Sequence, residues 1–169
     1  MAGKVTITDT DRGYKALMAR LYKASGGPPS VRVGILAQDA DTAYVRKADR
    51  AANSNAVESA VTLLQVAIFN EFGTSRIPAR SFLRAWVDEN EETIREKFLM
   101  LMKSVVKGER TKEQILDLIG LWAVGQIQER ISAGIEPGNA QSTIDRKGSS
   151  KPLIDTGLLR SSISHMVDA

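Results

Sequence analysis

The fold of this chain is decided at one corner of its sequence, which reads Asn70-Glu71-Phe72-Gly73-Thr74-Ser75-Arg76-Ile77-Pro78-Ala79-Arg80-Ser81-Phe82-Leu83-Arg84. An apolar segment ends at Gly73, where glycine supplies a positive φ angle that other residues adopt reluctantly. Pro78 then pushes Ile77 toward an extended backbone, so the chain leaves the turn straight. A long amphipathic helix is predicted to begin near Arg80 or Ser81. Nothing in this stretch resembles a catalytic device.

Three charged side chains of the corner need a further explanation. A turn does not require a carboxylate, so Glu71 is predicted to form a salt bridge or hydrogen bond across a joint, with Arg80 or Arg84 as its partner. Both arginines can make planar, bidentate contacts, and the nearly even charge balance favours pairing within the protein over contact with DNA phosphate. Phe72 is predicted to bury beneath the turn. The corner is thus predicted to aim a helix and to leave these charges at a joint.

The segment before the corner fits a short helix better than a strand. Thr62 and Gln65 have the spacing of a capping box, in which each side chain bonds the other residue's backbone N–H. A helix would then run through Phe69 or Asn70 and stop at Gly73. A strand over Val61–Phe69 competes, because a short apolar run does not settle the period by itself.

Two long helices are predicted after the corner. The first ends at Gly108, and its apolar positions recur at helical spacing. A second capping box, Thr111 with Gln114, opens the next helix, which extends to about Ser132. The predicted buried stripe of the first helix consists of Leu83, Trp86, Val87, Ile94, Phe98, Leu101, Met102 and Val105.

The second long helix is apolar on nearly every face between Ile115 and Ile127. Such a helix is buried on more than one side. Gly120 and Gly125, which flank Trp122, each cost roughly 1 kcal/mol of helix stability relative to alanine, so they suggest a close backbone approach. Two interpretations stay open, a central core helix and a subunit interface.

The remaining pattern predicts one α+β domain over residues 1–169. Short strands are predicted at Val5–Thr8, at Val31–Leu36 and at Ser162–Val167, with a shorter N-terminal helix after the first. Long mobile loops are predicted at about 38–58 and 134–152, the latter with a short turn at Thr143–Arg146. The fold class is therefore a small, mostly antiparallel sheet packed with two long helices and the shorter N-terminal one.

The composition excludes several classes of function. The chain has 169 residues, no cysteine and a net charge of +3 from 23 basic and 20 acidic residues. Thiolate chemistry and disulfides are absent, no basic arm suggests nucleic-acid binding, and no apolar run reaches the ~18 residues of a membrane span. His165, the only histidine, has no nearby acid in sequence except Asp168, and it is predicted to lie at a surface or interface. No cofactor or metal is expected.

A second compact block near the C-terminus reads Pro152-Leu153-Ile154-Asp155-Thr156-Gly157-Leu158-Leu159. Asp-Thr-Gly also occurs in aspartic proteases, which need two carboxylates in one site. Only one copy is present, so a protease would require a homodimer. The favoured interpretation is a turn in which the Asp or Thr side chain bonds nearby backbone groups.

Together the two blocks resemble the neck and tail-completion proteins of long-tailed bacteriophages, also described as head–tail joining or virion morphogenesis proteins. The family pattern is Asn/His-Glu-Phe-Gly-Thr, then Ile-Pro-Ala-Arg-Pro-Phe-Leu-Arg, then Pro-Leu-Ile-Asp-Thr-Gly-x-Leu. The matching blocks cover about residues 62–88 and 141–164. This chain departs from the pattern at Ser81, where the family has proline, and either residue suits a helix start.

The resemblance implies a structural, non-enzymatic role in the virion, at the head–tail junction or in the tail, for a protein made in the bacterial host cytoplasm. It implies a cyclic homo-oligomer, a hexamer or dodecamer, in contact with neck, head-closure or tail proteins. DNA would be met only as a channel lining, and no membrane is involved. The alternatives are a tail terminator or minor tail component and, more distantly, a DNA-binding regulator or an aspartic-type protease. The motif and interface candidates are Glu71, Phe72, Gly73, Ile77, Pro78, Arg80, Phe82, Arg84, Gly120, Trp122, Gly125, Pro152, Leu153, Asp155, Thr156, Gly157 and Leu159.

Overall fold

The computed structural model describes residues 29–44 and 61–168, together with two isolated helical positions, Ala16 and Ala19. The predicted strand at Val5–Thr8, the rest of the N-terminal helix and most of loop 38–58 lie outside the described residues. The elements are β1 (Ser30–Ile35), α1 (Ala37–Ala40), α2 (Leu63–Phe72), α3 (Arg84–Lys107), α4 (Lys112–Ala133), α5 (Gln141–Lys147), α6 (Leu158–Ser161) and β2 (Ile163–Asp168).

The sheet joins two distant parts of the chain. β1 and β2 pair antiparallel, with Ser30 opposite Asp168 and Ile35 opposite Ile163. The Nε and Nη2 atoms of Arg32 donate to the two carboxylate oxygens of Asp168, each at 2.7 Å. Both predicted strands are confirmed, each displaced by one residue. A small antiparallel sheet with several helices, two of them long, confirms the α+β fold class.

Helix α2 begins as its capping box predicts. The Thr62 Oγ1 atom accepts from the backbone N–H of Gln65 at 3.2 Å, and the Gln65 Oε1 atom accepts from the N–H of Thr62 at 2.9 Å. The competing strand over Val61–Phe69 is therefore wrong. The capping box favours the helix over the strand, because it satisfies N–H groups that a helix start would otherwise leave unpaired.

Helices α3 and α4 form an antiparallel hairpin. Gly108 ends α3 in the left-handed conformation at φ 77°. The capping box of Thr111 and Gln114 starts α4 as predicted. Trp86 and Trp122 bring the two helices together, with ring centroids 5.5 Å apart and planes tilted by 59°.

The predicted start and buried stripe of α3 both need correction. The helix begins at Arg84, because the preceding residues are held by contacts to α2 described below. Trp86 and Val105 are buried, but Val87 and Phe98 are 48% and 39% exposed. The predicted stripe is too wide, since α4 covers only the face of α3 that carries Trp86.

Helix α4 is the centre of the described core. It packs against α3, β1 and β2, which fits the central-core interpretation. Residues Leu63 of α2 and Phe82 of the corner lie in the same cluster. The buried cluster consists of Leu63, Ala67, Phe82, Trp86, Ala123, Ile127, Ile131, Leu159 and Ile163.

The segment predicted as loop 134–152 is more ordered than expected. Helix α5, Gln141–Lys147, occupies the place of the predicted turn at Thr143–Arg146 and ends at Gly148 with φ 69°. Lys151 ties the end of the segment to α4, since its Nζ atom donates to the Ser132 carbonyl at 3.1 Å.

Candidate functional site

The turn at Gly73 requires glycine for two separate reasons. Its φ angle is +76°, and a Cβ atom would lie 2.8 Å from the Ala79 nitrogen and 3.0 Å from the Ile77 oxygen. Real Cβ atoms do not approach backbone atoms so closely. The predicted positive φ is confirmed. In addition, the loop folds back onto the turn, so that there is no room for a Cβ atom at position 73.

The loop after Gly73 is closed by its own hydrogen bonds. The Thr74 Oγ1 atom accepts from the N–H groups of Arg76 and Ile77 at 3.2 and 3.0 Å. The backbone N–H of Arg80 donates to the Asn70 carbonyl at 2.6 Å. These bonds fix the path of the chain past Pro78, so the corner is a rigid connection between α2 and α3.

Glu71 caps helix α3 from helix α2. Its Oε2 atom accepts from the N–H groups of Phe82 and Leu83 at 2.8 and 3.1 Å. Its Oε1 atom accepts from the N–H of Arg84 at 2.9 Å and from the Ser81 hydroxyl at 2.6 Å. A carboxylate at this position satisfies unpaired N–H groups and interacts favourably with the helix dipole.

The Glu71 carboxylate stays charged although it is only 4% exposed. Burial by itself would raise its pKa. The hydrogen bonds from the Ser81 hydroxyl and from the backbone of Arg84, Leu83 and Phe82 outweigh burial, so the pKa of Glu71 lies below its ordinary value. Hydrogen bonds to the ionised form favour that form.

The predicted ion pair of Glu71 is confirmed with Arg84 and not with Arg80. The Arg84 Nε atom lies 3.3 Å from Glu71 Oε1. Its guanidinium also lies over the Phe72 ring, 4.4 Å from the centroid. The predicted burial of Phe72 is wrong, because this side chain is 60% exposed. The row of α2 that faces the core carries Glu71 instead.

The Arg80 side chain does not lie at the joint between α2 and α3, where a contact with Glu71 was predicted. It is only 7% exposed and precedes α3. Its Nε atom donates to the Pro137 carbonyl at 2.6 Å and its Nη2 atom to the Gly138 carbonyl at 2.9 Å. Burial lowers the pKa of Arg80, opposed by the nearby Glu136 carboxylate. Arg80 therefore anchors the segment before α5 and is not presented as a phosphate contact.

The Asp155-Thr156-Gly157 block forms a turn, as predicted. Gly157 has φ 82°, and the Thr156 Oγ1 atom accepts from the N–H of Leu158 at 3.3 Å. The Asp155 carboxylate reaches across the fold and accepts from the Tyr44 hydroxyl at 3.1 Å. The block thereby places Leu159 in the core at 2% exposure.

Two further residues of this block help to shape it. Pro152 is buried. Leu153 has a positive φ of 60°, which is uncommon for a non-glycine residue and costs of order 1–3 kcal/mol. The sequence carried no signal of this strain, since a leucine by itself does not predict a left-handed backbone.

The two glycines of α4 have different surroundings. A Cβ atom on Gly120 would lie 2.5 Å from the His165 ring and 2.8 Å from Val31, whereas one on Gly125 would meet nothing within 4 Å. The predicted close approach is therefore confirmed at Gly120, where α4 meets the sheet. No described residue approaches Gly125, so the predicted close approach is not seen there within the subunit.

His165 lies between α4 and the sheet rather than at a free surface. Its side chain is 19% exposed, and its Nε2 atom is 2.8 Å from Asp117 Oδ1. Asp168, the only acid near it in sequence, pairs with Arg32 instead, while the His165 ring packs against α4. A partner 48 residues away was not visible from the sequence.

Helix α2 exposes an apolar row that the sequence reasoning missed. Leu64, Ile68 and Phe72 are 39%, 45% and 60% exposed. They recur every four residues, so they lie on one face, directly beside the buried row of Leu63 and Ala67. The signal was available, because apolar residues occupy two adjacent rows of this short helix. We call these three residues the α2 stripe.

Helix α4 carries a second exposed apolar row. Leu118 and Leu121 are 39% and 60% exposed, and Gly125 lies on the same face one turn further. We call these three residues the α4 stripe. Trp122, which was an interface candidate, is partly buried against Trp86, and its other face receives Lys97 with Nζ 4.7 Å from the ring centroid.

The described part of the chain offers no cluster for metal chemistry. Among those residues, no group of three or more acidic or histidine side chains could hold a metal ion. None of the described helices combines the length and apolar character needed to cross a membrane. The comparisons with known proteins give no further guide, since no protein-family model, curated protein or solved structure matches this chain.

Proposed function

We propose that this chain is a structural virion protein that assembles as a ring at the neck or the top of the tail of a long-tailed bacteriophage. It would help to join head and tail or to complete the tail, and it would act by binding rather than by catalysis. The placement in a virion rests on the resemblance of the two motif blocks. Ring assembly is supported by one structural observation, the exposed α2 and α4 stripes.

The α2 stripe is a contiguous row of three large apolar side chains, and the α4 stripe joins two exposed leucines to Gly125. Single exposed apolar residues are normal, but contiguous apolar surface marks interaction sites. The two stripes lie on different helices and differ in composition. An interface that joins two different patches is heterologous, and it makes a ring when the rotation closes and a filament when it does not.

The apolar area of each stripe determines whether one stripe is enough to hold two subunits together. Complete burial of a leucine, isoleucine or phenylalanine is worth roughly 1.5–3 kcal/mol, and about half of each side chain of the α2 stripe is still exposed. Burial of one stripe therefore contributes only a few kcal/mol. This gain is close to the lower bound of the free-energy cost of association, about 4 kcal/mol. An interface that buries both stripes adds the two exposed leucines of α4 to this contribution, which supports an assembly over isolated subunits.

The corner supports the same proposal in a different way. Glu71 and Arg80 make their contacts inside the subunit. These contacts fix the geometry of the corner, which favours a structural role of the motif over a catalytic one. Two nitrogens of Arg80 are bonded to backbone carbonyls of the same subunit, which favours assembly over contact with the phosphates of a DNA duplex. Pro78 is exposed and Ile77 is partly exposed at this rigid corner, so both can contact a neighbouring protein.

The first test is the mass of the assembly. The purified protein, studied by light scattering and negative-stain electron microscopy over a range of concentrations, should form closed rings of six or twelve subunits. A protein that is strictly monomeric both at high concentration and in assembled particles would contradict the proposal.

The second test is the shape of particles that lack the protein. Electron microscopy of virions from a deletion mutant should show separate tailless heads and finished tails if the protein joins them. Abnormal or unfinished tails would instead indicate tail completion or termination. Normal infectious virions would overturn the structural role altogether.

A further inference from the structure

A cavity of about 450 Å³ lies beside the corner. It is bounded by the loop after α2, by α5 with the residues before it, and by the loop before α6. Its volume falls within the roughly 300–1,000 Å³ of pockets that hold small ligands. Ile77, Pro78, Leu153 and Leu159 give it apolar walls, so the site could bury the carbon atoms of a ligand as well as its polar groups.

Two cations line this cavity, Arg80 from the corner and Lys147 from α5. Arg80 is 7% exposed, and its Nε and Nη2 atoms are held by two backbone carbonyls. Its Nη1 atom makes no hydrogen bond to the described residues, which leaves two N–H donors. Lys147 enters from α5, with its Nζ atom donating to the Lys151 carbonyl at 2.8 Å and further donor capacity left.

The two cations repel each other. Burial lowers the pKa of Lys147, the Asp155 carboxylate opposes this effect, and the charge of Arg80 lowers the pKa further. Asp155 lines the same cavity but is bonded to the Tyr44 hydroxyl. Arg76 adds a third basic side chain to the lining. A single negative charge placed between Arg80 and Lys147 would relieve their repulsion.

The cavity also carries hydrogen-bond acceptors of the kind that a peptide backbone needs. The Nδ2 atoms of Asn70 and Asn139 donate to the carbonyls of Val66 and Ser150, at 2.8 and 3.2 Å. Their Oδ1 atoms make no hydrogen bonds to the described residues. Both asparagines line the cavity, so their amide oxygens can accept from the N–H groups of a bound chain.

We infer that this cavity binds an acidic peptide segment of another protein molecule, with one carboxylate between Arg80 and Lys147. The apolar walls would bury the stems of its neighbouring residues, and Asn70 and Asn139 would accept from its backbone. Asp155 disfavours a doubly charged phosphate or a polyanion in the same place. The inference goes beyond ring assembly, since the described residues that line the cavity all belong to one subunit.

The test is isothermal titration calorimetry with matched peptides. The probes are acetylated tripeptide amides in which Glu or Asp stands between two leucines, each compared with its Gln or Asn counterpart. The acidic peptides should bind the wild-type protein roughly tenfold more tightly or better, because leaving one partner of a buried charge pair without its counter-charge weakens binding by at least that factor. Equal affinity for the amide peptides, or no heat from the acidic ones, would overturn the inference.

Two variants locate the binding site. Lys147→Met removes one cation without touching the bonds of Arg80, and it should weaken the acidic peptides roughly tenfold. Lys103→Met, on an exposed position of α3, makes the same substitution away from the cavity and should leave affinity unchanged. Arg80→Lys checks the second cation, with far-UV circular dichroism to show that the variant is folded. Unchanged affinity in both Lys147→Met and a folded Arg80→Lys would contradict the assignment.

Competition separates the other anions. Inorganic phosphate or a short DNA duplex that displaces the acidic peptide at equal concentration would show a general anion or nucleic-acid site, and would overturn the inference. The oligomeric mass of each sample is measured alongside. Peptide binding by a monomer would uphold the inference while counting against the ring, so the two failures can be told apart.

Discussion

At the scale of the residue, Glu71 is the most important polar group of the corner. It belongs to α2 but satisfies the start of α3, accepting from three consecutive backbone N–H groups. A helix usually obtains such a cap from a residue adjacent in sequence. Here Leu83, the residue before α3, has no capping side chain. The start of α3 therefore depends on the Glu71 carboxylate, which the corner holds in place.

Glu71→Gln should therefore destabilise the protein. The amide keeps the shape of the side chain, but it turns one acceptor into a donor that faces backbone N–H groups. We expect a loss of roughly 2 kcal/mol in the free energy of unfolding, measured by urea denaturation. Glu92→Gln, on the exposed face of α3, removes a carboxylate that among the described residues pairs with Arg95 alone, at the surface, and should change stability by less than about 0.5 kcal/mol. Equal effects in the two variants would contradict the capping role.

The same residue predicts a pH dependence. The pKa of Glu71 is lower in the folded protein than in the unfolded chain, so between the two pKa values the unfolded chain binds more protons and stability rises with pH. The contribution is complete above the unfolded pKa of about 4.3 and is lost as pH falls through the folded pKa. The stability difference between wild type and Glu71→Gln should thus shrink on acidification below that value. A difference independent of pH would show that the carboxylate is not the source.

At the scale of the element, α4 shows how one helix can serve both a core and a surface. Gly120 lies where His165 and Val31 of the sheet come closest, and it allows that contact because it has no Cβ atom. Gly125 lies on the exposed face, where nothing in the described part of the chain approaches it. The two positions have the same residue type and helical backbone but opposite surroundings.

Alanine at these two positions should give opposite results. Gly120→Ala places a methyl group against the His165 ring and should cost roughly 1–3 kcal/mol. Gly125→Ala, the matched control in the same helix, should stabilise the monomer by up to about 1 kcal/mol, since alanine is the better helix former. Both are measured by denaturation at a concentration where wild type is dissociated. A neutral or stabilising Gly120→Ala would show that α4 and the sheet are less tightly packed than the structure shows.

At the scale of the whole molecule, the β1–β2 sheet closes the chain around α4. Ser30 pairs with Asp168, and α4 packs across both strands. The sheet covers one side of α4 and α3 covers another, while the α2 and α4 stripes remain exposed. An assembly of subunits would therefore use surface that is exposed in the described part of the subunit.

Charged substitutions in the stripes should separate assembly from folding. Ile68→Glu and Leu121→Glu each place a carboxylate in the proposed interface, where an unpaired charge is strongly unfavourable. Each should reduce the mass measured by light scattering while leaving the far-UV circular dichroism unchanged. Thr93→Glu, on an exposed polar face of α3, introduces the same group and should keep the assembly intact. Full-size assemblies from both stripe variants would place the interface elsewhere.

Local chemistry in the sequence determined the elements of this protein. Capping boxes at Thr62 and Thr111, the glycine stops at Gly73 and Gly108, and the period-two pattern at Val31 each act within a few residues, so they can be recognised without a fold. For the same reason, the α+β class and the turn at Asp155-Thr156-Gly157 were predictable.

Only the tertiary structure decided which side chains meet. The partner of His165 is Asp117, Arg80 turns to the carbonyls of Pro137 and Gly138, and Phe72 is exposed because Glu71 takes the inward row. These outcomes depend on contacts between residues far apart in sequence, and on the competition of buried polar groups for partners. Periodicity reports which face of a helix is apolar, but the packing of the other elements determines which part of that face is covered.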